Sequence, residues 1–178
     1  MTSLDLTGRT AIVTGASRGI GLAISQQLAT AGANVVLTAR KQEAAEAAAA
    51  QVGDRALGVG AHAVDEDAAR ACVDVALERF GSVDILVNNA GTNPAYGALI
   101  DQDHARFAKI FDVNLWAPLL WTSLVVKSWM GEHGGAVVNT ASIGGLHQSP
   151  AMGMYNATKA ALIHVTKQLA LELSPGIR

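Results

Sequence analysis

"TAIVTGASRGIG", residues 10–21, decides the fold. The run "TAIVT" (10–14) is β-branched and apolar without polar alternation, as in a strand covered on both faces. Gly15, Gly19 and Gly21 follow, at the point where the backbone must turn into a helix and a Cβ would be in the way. A helix that opens there points unpaired N–H groups and its positive dipole end beyond the strand, where a phosphate can sit. The spacing is G-x-x-x-G-x-G, which departs from the G-x-G-x-x-G fingerprint. A tight strand–helix connection would also explain the glycines. Their place directly after the first strand favours the nucleotide reading.

The same alternation runs through the chain. "NVVLTA" (34–39), "ALGVGAHAV" (56–64), "DILVNN" (84–89) and "AVVNTA" (136–141) read as further strands. Helices are expected between them, including a long one over 101–130 and a last one from Ala151 to Leu173. Gly32 and Gly81 stand where helix C-caps belong, and Glu66 and Asp67 place negative charge at a helix start. The pattern specifies an α/β domain over 1–178, a doubly wound parallel sheet of the Rossmann-like kind. Six strands are usual for two mononucleotide halves and five are legible. The sixth and later strands are therefore expected to be missing from this chain, with "SPGIR" ending where a sixth could begin.

Half of the residues are hydrophobic and the net charge is -2, so charge gives no reason to expect nucleic acid or an anionic membrane as partner. The start, "MTSLDLTGRTAIVTG", lacks the basic-then-apolar order of a signal peptide. The stretch "LWAPLLWTSLVV" is too short for the roughly 20 residues of a membrane span. Cys72 is the single cysteine and fits a reducing cytoplasm; mid-helix, it is expected to pack rather than react. His62, His104, His133, His147 and His164 show no metal-ligand spacing. His147 could face a substrate, but a solvated loop position is the simpler expectation.

Three further stretches carry chemistry. "NNAG" (88–91) ends the fourth strand, at the sheet edge where ligands of such folds bind; alone it is equally an Asx-type turn. In "YNATK", Tyr155 and Lys159 lie four apart and share a helix face. A phenol is a poor proton carrier at neutral pH, and a nearby ammonium stabilises its ionised form. Ser142, just past the fifth strand, can donate to a substrate oxygen while a tyrosine supplies the proton, or it can simply cap a turn.

Together "TGASRGIG", "NNAG", "VNL" around Asn114, "NTAS" and "YNATK" resemble the short-chain dehydrogenase/reductase family, in order and spacing, over essentially the whole chain. The branch most resembled is that of the 3-oxoacyl-acyl-carrier-protein reductases. The resemblance implies hydride transfer between a nicotinamide cofactor and a carbonyl or secondary alcohol, acyl thioesters included. Tyr155 would be the acid/base, Lys159 would bind the nicotinamide ribose and ease ionisation of the phenol, and Ser142 would hold the substrate oxygen. Asn114 would bend its helix and hold a water of a proton relay; without the resemblance it would pass for a polar residue on a partly exposed helix.

Cofactor contacts would come from Gly15, Ser17, Arg18, Gly19, Ile20, Gly21, Arg40, Asp65, Asn88, Ala90, Gly91, Tyr155 and Lys159. For Asp65, an N-cap is the bland alternative. The second strand ends "VVLTARK" with no carboxylate for a ribose 2′-OH, and Arg40 with Arg18 suits a 2′-phosphate, so NADP(H) is expected over NAD(H). The family also implies a homo-oligomer, a tetramer, with Trp116, Trp121 and Trp129 as candidate anchors. A non-catalytic nucleotide sensor or scaffold of the same fold is the alternative, although such a protein would be expected to lose Tyr155 or Lys159.

Overall fold

The computed structural model describes residues 5–178, so the first four residues of the leader reading lie outside it. Five parallel strands form one sheet: β1 (Thr10–Val13), β2 (Asn34–Ala39), β3 (Ala56–Gly60), β4 (Ile85–Asn88) and β5 (Ala136–Asn139). Their order is β3-β2-β1-β4-β5. The chain builds outward from β1 in one direction, then returns and builds in the other. The crevice beyond the carboxyl ends of β1 and β4 is therefore the switch point where such sheets bind ligands.

Alternate residues of each strand serve two cores. Val13, Val35, Leu37 and Val87 pack with Leu22, Ile24 and Leu28 of α1 (Gly19–Thr30) and with Ala48 and Ala49 of α2 (Gln42–Val52). On the other face Ile12, Val36 and Leu86 meet Ala69, Cys72, Val73 and Ala76 of α3 (Glu66–Phe80). Cys72 packs as expected, and burial pushes its thiol up to about 12. The alanines of α2 and Gly58 of β3 explain each other: a Cβ at Gly58 would run into the Ala45 carbonyl. Gly81 caps α3 at φ 78, donating to the Leu77 carbonyl, and Gly32 donates to Ala29 at the end of α1.

Several boundaries differ from the sequence expectation, and β1, β4 and β5 end one or two residues earlier than read. β3 stops at Gly60 instead of continuing to 64, because the chain turns at once: the His62 carbonyl accepts from Asp65 N–H, which delivers Asp65 to the head of α3. The long helix starts at His104, since Asp103 caps it by accepting from Arg106 N–H. It then runs to His133 as α4 (His104–Phe111), a π segment (Asp112–Trp116), α5 (Ala117–Val125), a second π segment (Val126–Met130) and α6 (Gly131–His133). The last helix, α7 (Gly153–Leu173), starts after Ala151, which sits at φ 62. α5 adds Leu120, Trp121, Leu124 and Val125 to the core over α3.

Beside β5 the chain's final residues pair in parallel, with Val137 N–H donating to the Arg178 carbonyl at 2.7 Å and Arg178 N–H to the Gly135 carbonyl at 3.1 Å. Val138, on the α1 side of β5, is 52% exposed.

Candidate active site

The glycine turn is held by its neighbours. At Gly15 (φ +63) a Cβ would lie 2.8 Å from Ala90 Cα, and at Gly21 one would lie 2.5 Å from Asn89 Nδ2. Both are therefore needed for the close approach of the β1 and β4 ends. Gly19 (φ +60) faces open space, which leaves room for a ligand rather than for protein. Arg18 is the extended N-cap residue of α1 and makes no side-chain capping bond; the first turn carries no acid. The N-terminus of this twelve-residue helix thus keeps free N–H groups, with Ser17 and Ile20 beside it, and fits an anion. Arg18 and Arg40 are exposed and form no ion pair among the described residues.

Two residues that the sequence did not single out staple this turn. Thr14 Oγ1 accepts from the N–H groups of Asn89 and Ala90, and Asn89 Nδ2 donates to the carbonyls of Thr14 and Gly15. Asn88, read as a cofactor contact, directs its side chain elsewhere. It is buried, and its amide donates to Asn139 Oδ1, Thr122 Oγ1 and the Pro118 carbonyl. Asn139 in turn donates to Thr166 Oγ1 of α7. This ladder fixes β4, β5, α5 and α7 to one another.

Asp65 caps α3, accepting from Ala68 N–H at 3.0 Å, so the bland reading of that residue describes its structural contact. Ser142 also caps a turn: its Oγ accepts from Gly144 N–H at 3.1 Å. Its own hydroxyl proton remains to be donated. A side chain at Gly144 would collide with Asn156 Oδ1 and approach Ser142 Oγ within 3.5 Å. The turn Ile143–Gly145 therefore packs against the head of α7, beside Tyr155. His147 is exposed; its carbonyl accepts from Asn156 Nδ2 and its N–H donates to the Ile143 carbonyl.

Lys159 is buried, and its Nζ donates to the Thr140 carbonyl at 2.6 Å. Loss of solvent pulls its pKa below the ordinary lysine value. The same Nζ stands 5.8 Å from the centre of the Tyr155 ring. Gly91 joins these parts: a Cβ there would sit 3.6 Å from Asn114 Oδ1 and 4.0 Å from Lys159 Nζ. Asn114 lies inside the first π segment of its helix and is fully buried rather than partly exposed. Both ends of its amide are engaged. Oδ1 accepts from Thr92 N–H at 2.8 Å, while Nδ2 donates to the Thr92 carbonyl at 2.9 Å and to Thr158 Oγ1 at 3.1 Å.

Phosphate turn, buried lysine, tyrosine and serine thus gather at one sheet edge. The sequence pattern of the family described as short chain dehydrogenase matches residues 9–178. The chain belongs to the short-chain dehydrogenase family. The chain is 39% identical to the pig protein "Dehydrogenase/reductase SDR family member 4" (Sus scrofa), over 96% of this chain and 62% of that protein. Its identity to the human protein of that name (Homo sapiens) is 38%, over 98% of this chain and 64% of that one. The chain therefore spans just under two thirds of these relatives' length. The crystal structure of 3-ketoacyl-(acyl-carrier-protein) reductase from Brucella melitensis complexed with NADH superposes with a TM-score of 0.93 at 36% identity, covering 98% of this chain and 73% of that one.

Among the described residues no group of three or more His, Cys, Asp or Glu side chains is placed to hold a metal ion. No described helix is long and apolar enough to cross a membrane. The tryptophans part company. Trp121 is fully buried in this chain's own core and cannot anchor a second copy, whereas Trp116 is 53% exposed. Trp129 stacks on His133, with ring centres 3.7 Å apart.

Proposed function

We propose that the protein transfers a hydride between NADP(H) and a carbonyl or secondary alcohol, 3-oxoacyl thioesters among them. The observation that carries this reading is the convergence of Tyr155, Lys159 and Ser142 beside a glycine turn whose helix end has no protein cap. Gly15, Ser17, Arg18, Gly19, Ile20 and Gly21 would hold the pyrophosphate side of the cofactor, with Ala90 and Gly91 as the facing wall. Asp65 would reach the adenine with the oxygen that its cap leaves free. The bound nicotinamide supplies the hydride; the protein supplies orientation and the proton.

In reduction, the Ser142 hydroxyl donates to the substrate oxygen and Tyr155 delivers its proton to that same oxygen as the carbonyl carbon is reduced, giving the alcohol. Lys159, next to the ring, stabilises the phenolate left behind. A relay water would be held at Asn114. The single cysteine suits a cytoplasmic place of action.

Arg18 and Arg40 support NADP(H), while the Brucella reductase is described with NADH. A charge-assisted hydrogen bond contributes about 1.5–3 kcal/mol, so one arginine means about a tenfold to hundredfold preference. Ala39 is buried, so Arg40, which is exposed, is the residue to change. Arg40→Gln is expected to lower kcat/KM for NADPH about tenfold or more and to leave that for NADH nearly unchanged. An equal loss with both cofactors, or a parent that prefers NADH, would contradict the assignment.

The exposed Trp116, together with the stacked Phe107–Phe111 pair on α4, supports association of the full-length protein into a homotetramer. Light scattering at micromolar concentration is expected to give four copies; a monomer would refute this.

A further inference from the structure

Thr158 belongs to none of the roles above, yet it is fully buried one residue before Lys159. Its hydroxyl donates to the Tyr155 carbonyl at 2.7 Å and accepts from Asn114 Nδ2 at 3.1 Å. The first bond alone would be ordinary for a threonine in a helix, which often satisfies a carbonyl three or four residues back. The second is not local: it crosses 44 residues, from the π segment to α7. Asn114 continues the line to Thr92, gripping both its N–H and its carbonyl just past the "NNAG" turn. A connected path therefore runs from the β4 turn through Asn114 and Thr158 to the backbone of Tyr155.

Resting on the function proposed above, we infer that Thr158 is a positioning residue: it fixes the first turn of α7 against the π segment, and so sets where the Tyr155 hydroxyl stands. The chemistry of the pair leaves little slack. An amide nitrogen has two protons to give, and both are used, one on Thr92 and one on Thr158. Removing the threonine oxygen strands one of them away from bulk solvent, so the neighbourhood must shift to satisfy it. A displacement of the order of 1 Å at a reacting group can cost about a hundredfold in rate.

The test compares Thr158→Val, which keeps the shape without the hydroxyl, with Thr158→Ser, which keeps the hydroxyl, in the full-length protein. Thr158→Val is expected to lower kcat about tenfold to hundredfold, with the cofactor dissociation constant nearly unchanged, and Thr158→Ser to stay close to the parent. Amide hydrogen exchange on the cofactor-free protein supplies a readout independent of turnover. Residues 92–93 and 153–159 should lose protection in the valine variant and not in the serine variant.

Parent-like kcat in Thr158→Val, a serine variant as poor as the valine one, or a loss confined to cofactor binding would each overturn the inference. If the valine variant does not fold, Thr158→Cys, with a weaker donor and acceptor of similar size, should give an intermediate loss; a parent-like cysteine variant would refute it. Turnover retained in Tyr155→Phe would instead refute the acid/base reading itself, and the exchange data would still decide whether Thr158 holds the α7 turn.

Discussion

Replacing Tyr155 by Phe is expected to lower kcat by about a hundredfold to ten-thousandfold, the range over which a positioned general acid–base group acts. The substitution removes one oxygen and keeps the ring, so the 5.8 Å approach of the Lys159 ammonium to that ring need not change. Lys159 keeps its bond to the Thr140 carbonyl, and the glycine turn lies on other elements, β1 and α1. Cofactor dissociation measured by fluorescence titration should therefore remain within about twofold, far less than one charge-assisted bond would move it. A transition-state interaction is lost, so kcat and kcat/KM should fall together. Turnover within about tenfold of the parent would remove Tyr155 from the chemistry, because proton transfer by a positioned group contributes more than that.

Trp121→Ala should have the largest effect on stability. The indole is fully buried among β-sheet, α3 and α5 residues, and its Nε1–H donates to the Ala63 carbonyl at 2.9 Å. Truncating a buried tryptophan costs about 3–5 kcal/mol, and the abandoned carbonyl adds to this. Whole domains are stable by only about 5–15 kcal/mol, so most of the margin would go. Ala63 lies in the turn that leads to Asp65, so the same change should loosen the head of α3. Trp116→Ala, at an exposed position five residues earlier, is the control and should cost under about 1 kcal/mol in the dissociated chain. Urea unfolding midpoints would show the contrast; equal small losses at both positions would mean that the core over α3 does not depend on the indole.

The difference between those two tryptophans was hidden in the sequence. Both fall in one apolar stretch, where no polar face marks the outside, so helical periodicity could not say which tryptophan packs inward. The strands, by contrast, were legible because β1 and β2 are covered on both faces and show no polar alternation. Tyr155 and Lys159 were legible because four residues on a helix is a local relation. Thr14, Asn89, Thr92 and Thr158 were not. Each acts on a partner 22 to 76 residues away, and a lone threonine or asparagine carries no mark of that. β3 was read too long because Ala61–Val64 keeps the composition of a strand after the chain has begun to turn.

Asn114 also bears on which sequences could replace this one. Its site asks for a group that accepts once and donates twice at a fixed reach, closed to bulk solvent. Aspartate accepts but cannot donate, and it would bring an uncompensated charge. Serine and threonine have a single proton to give, histidine has the wrong outline, and glutamine places the same amide one methylene too far. Of the twenty natural side chains one meets the specification. Divergence at this position is therefore closed by hydrogen-bond arithmetic, before any demand that catalysis makes on the chain.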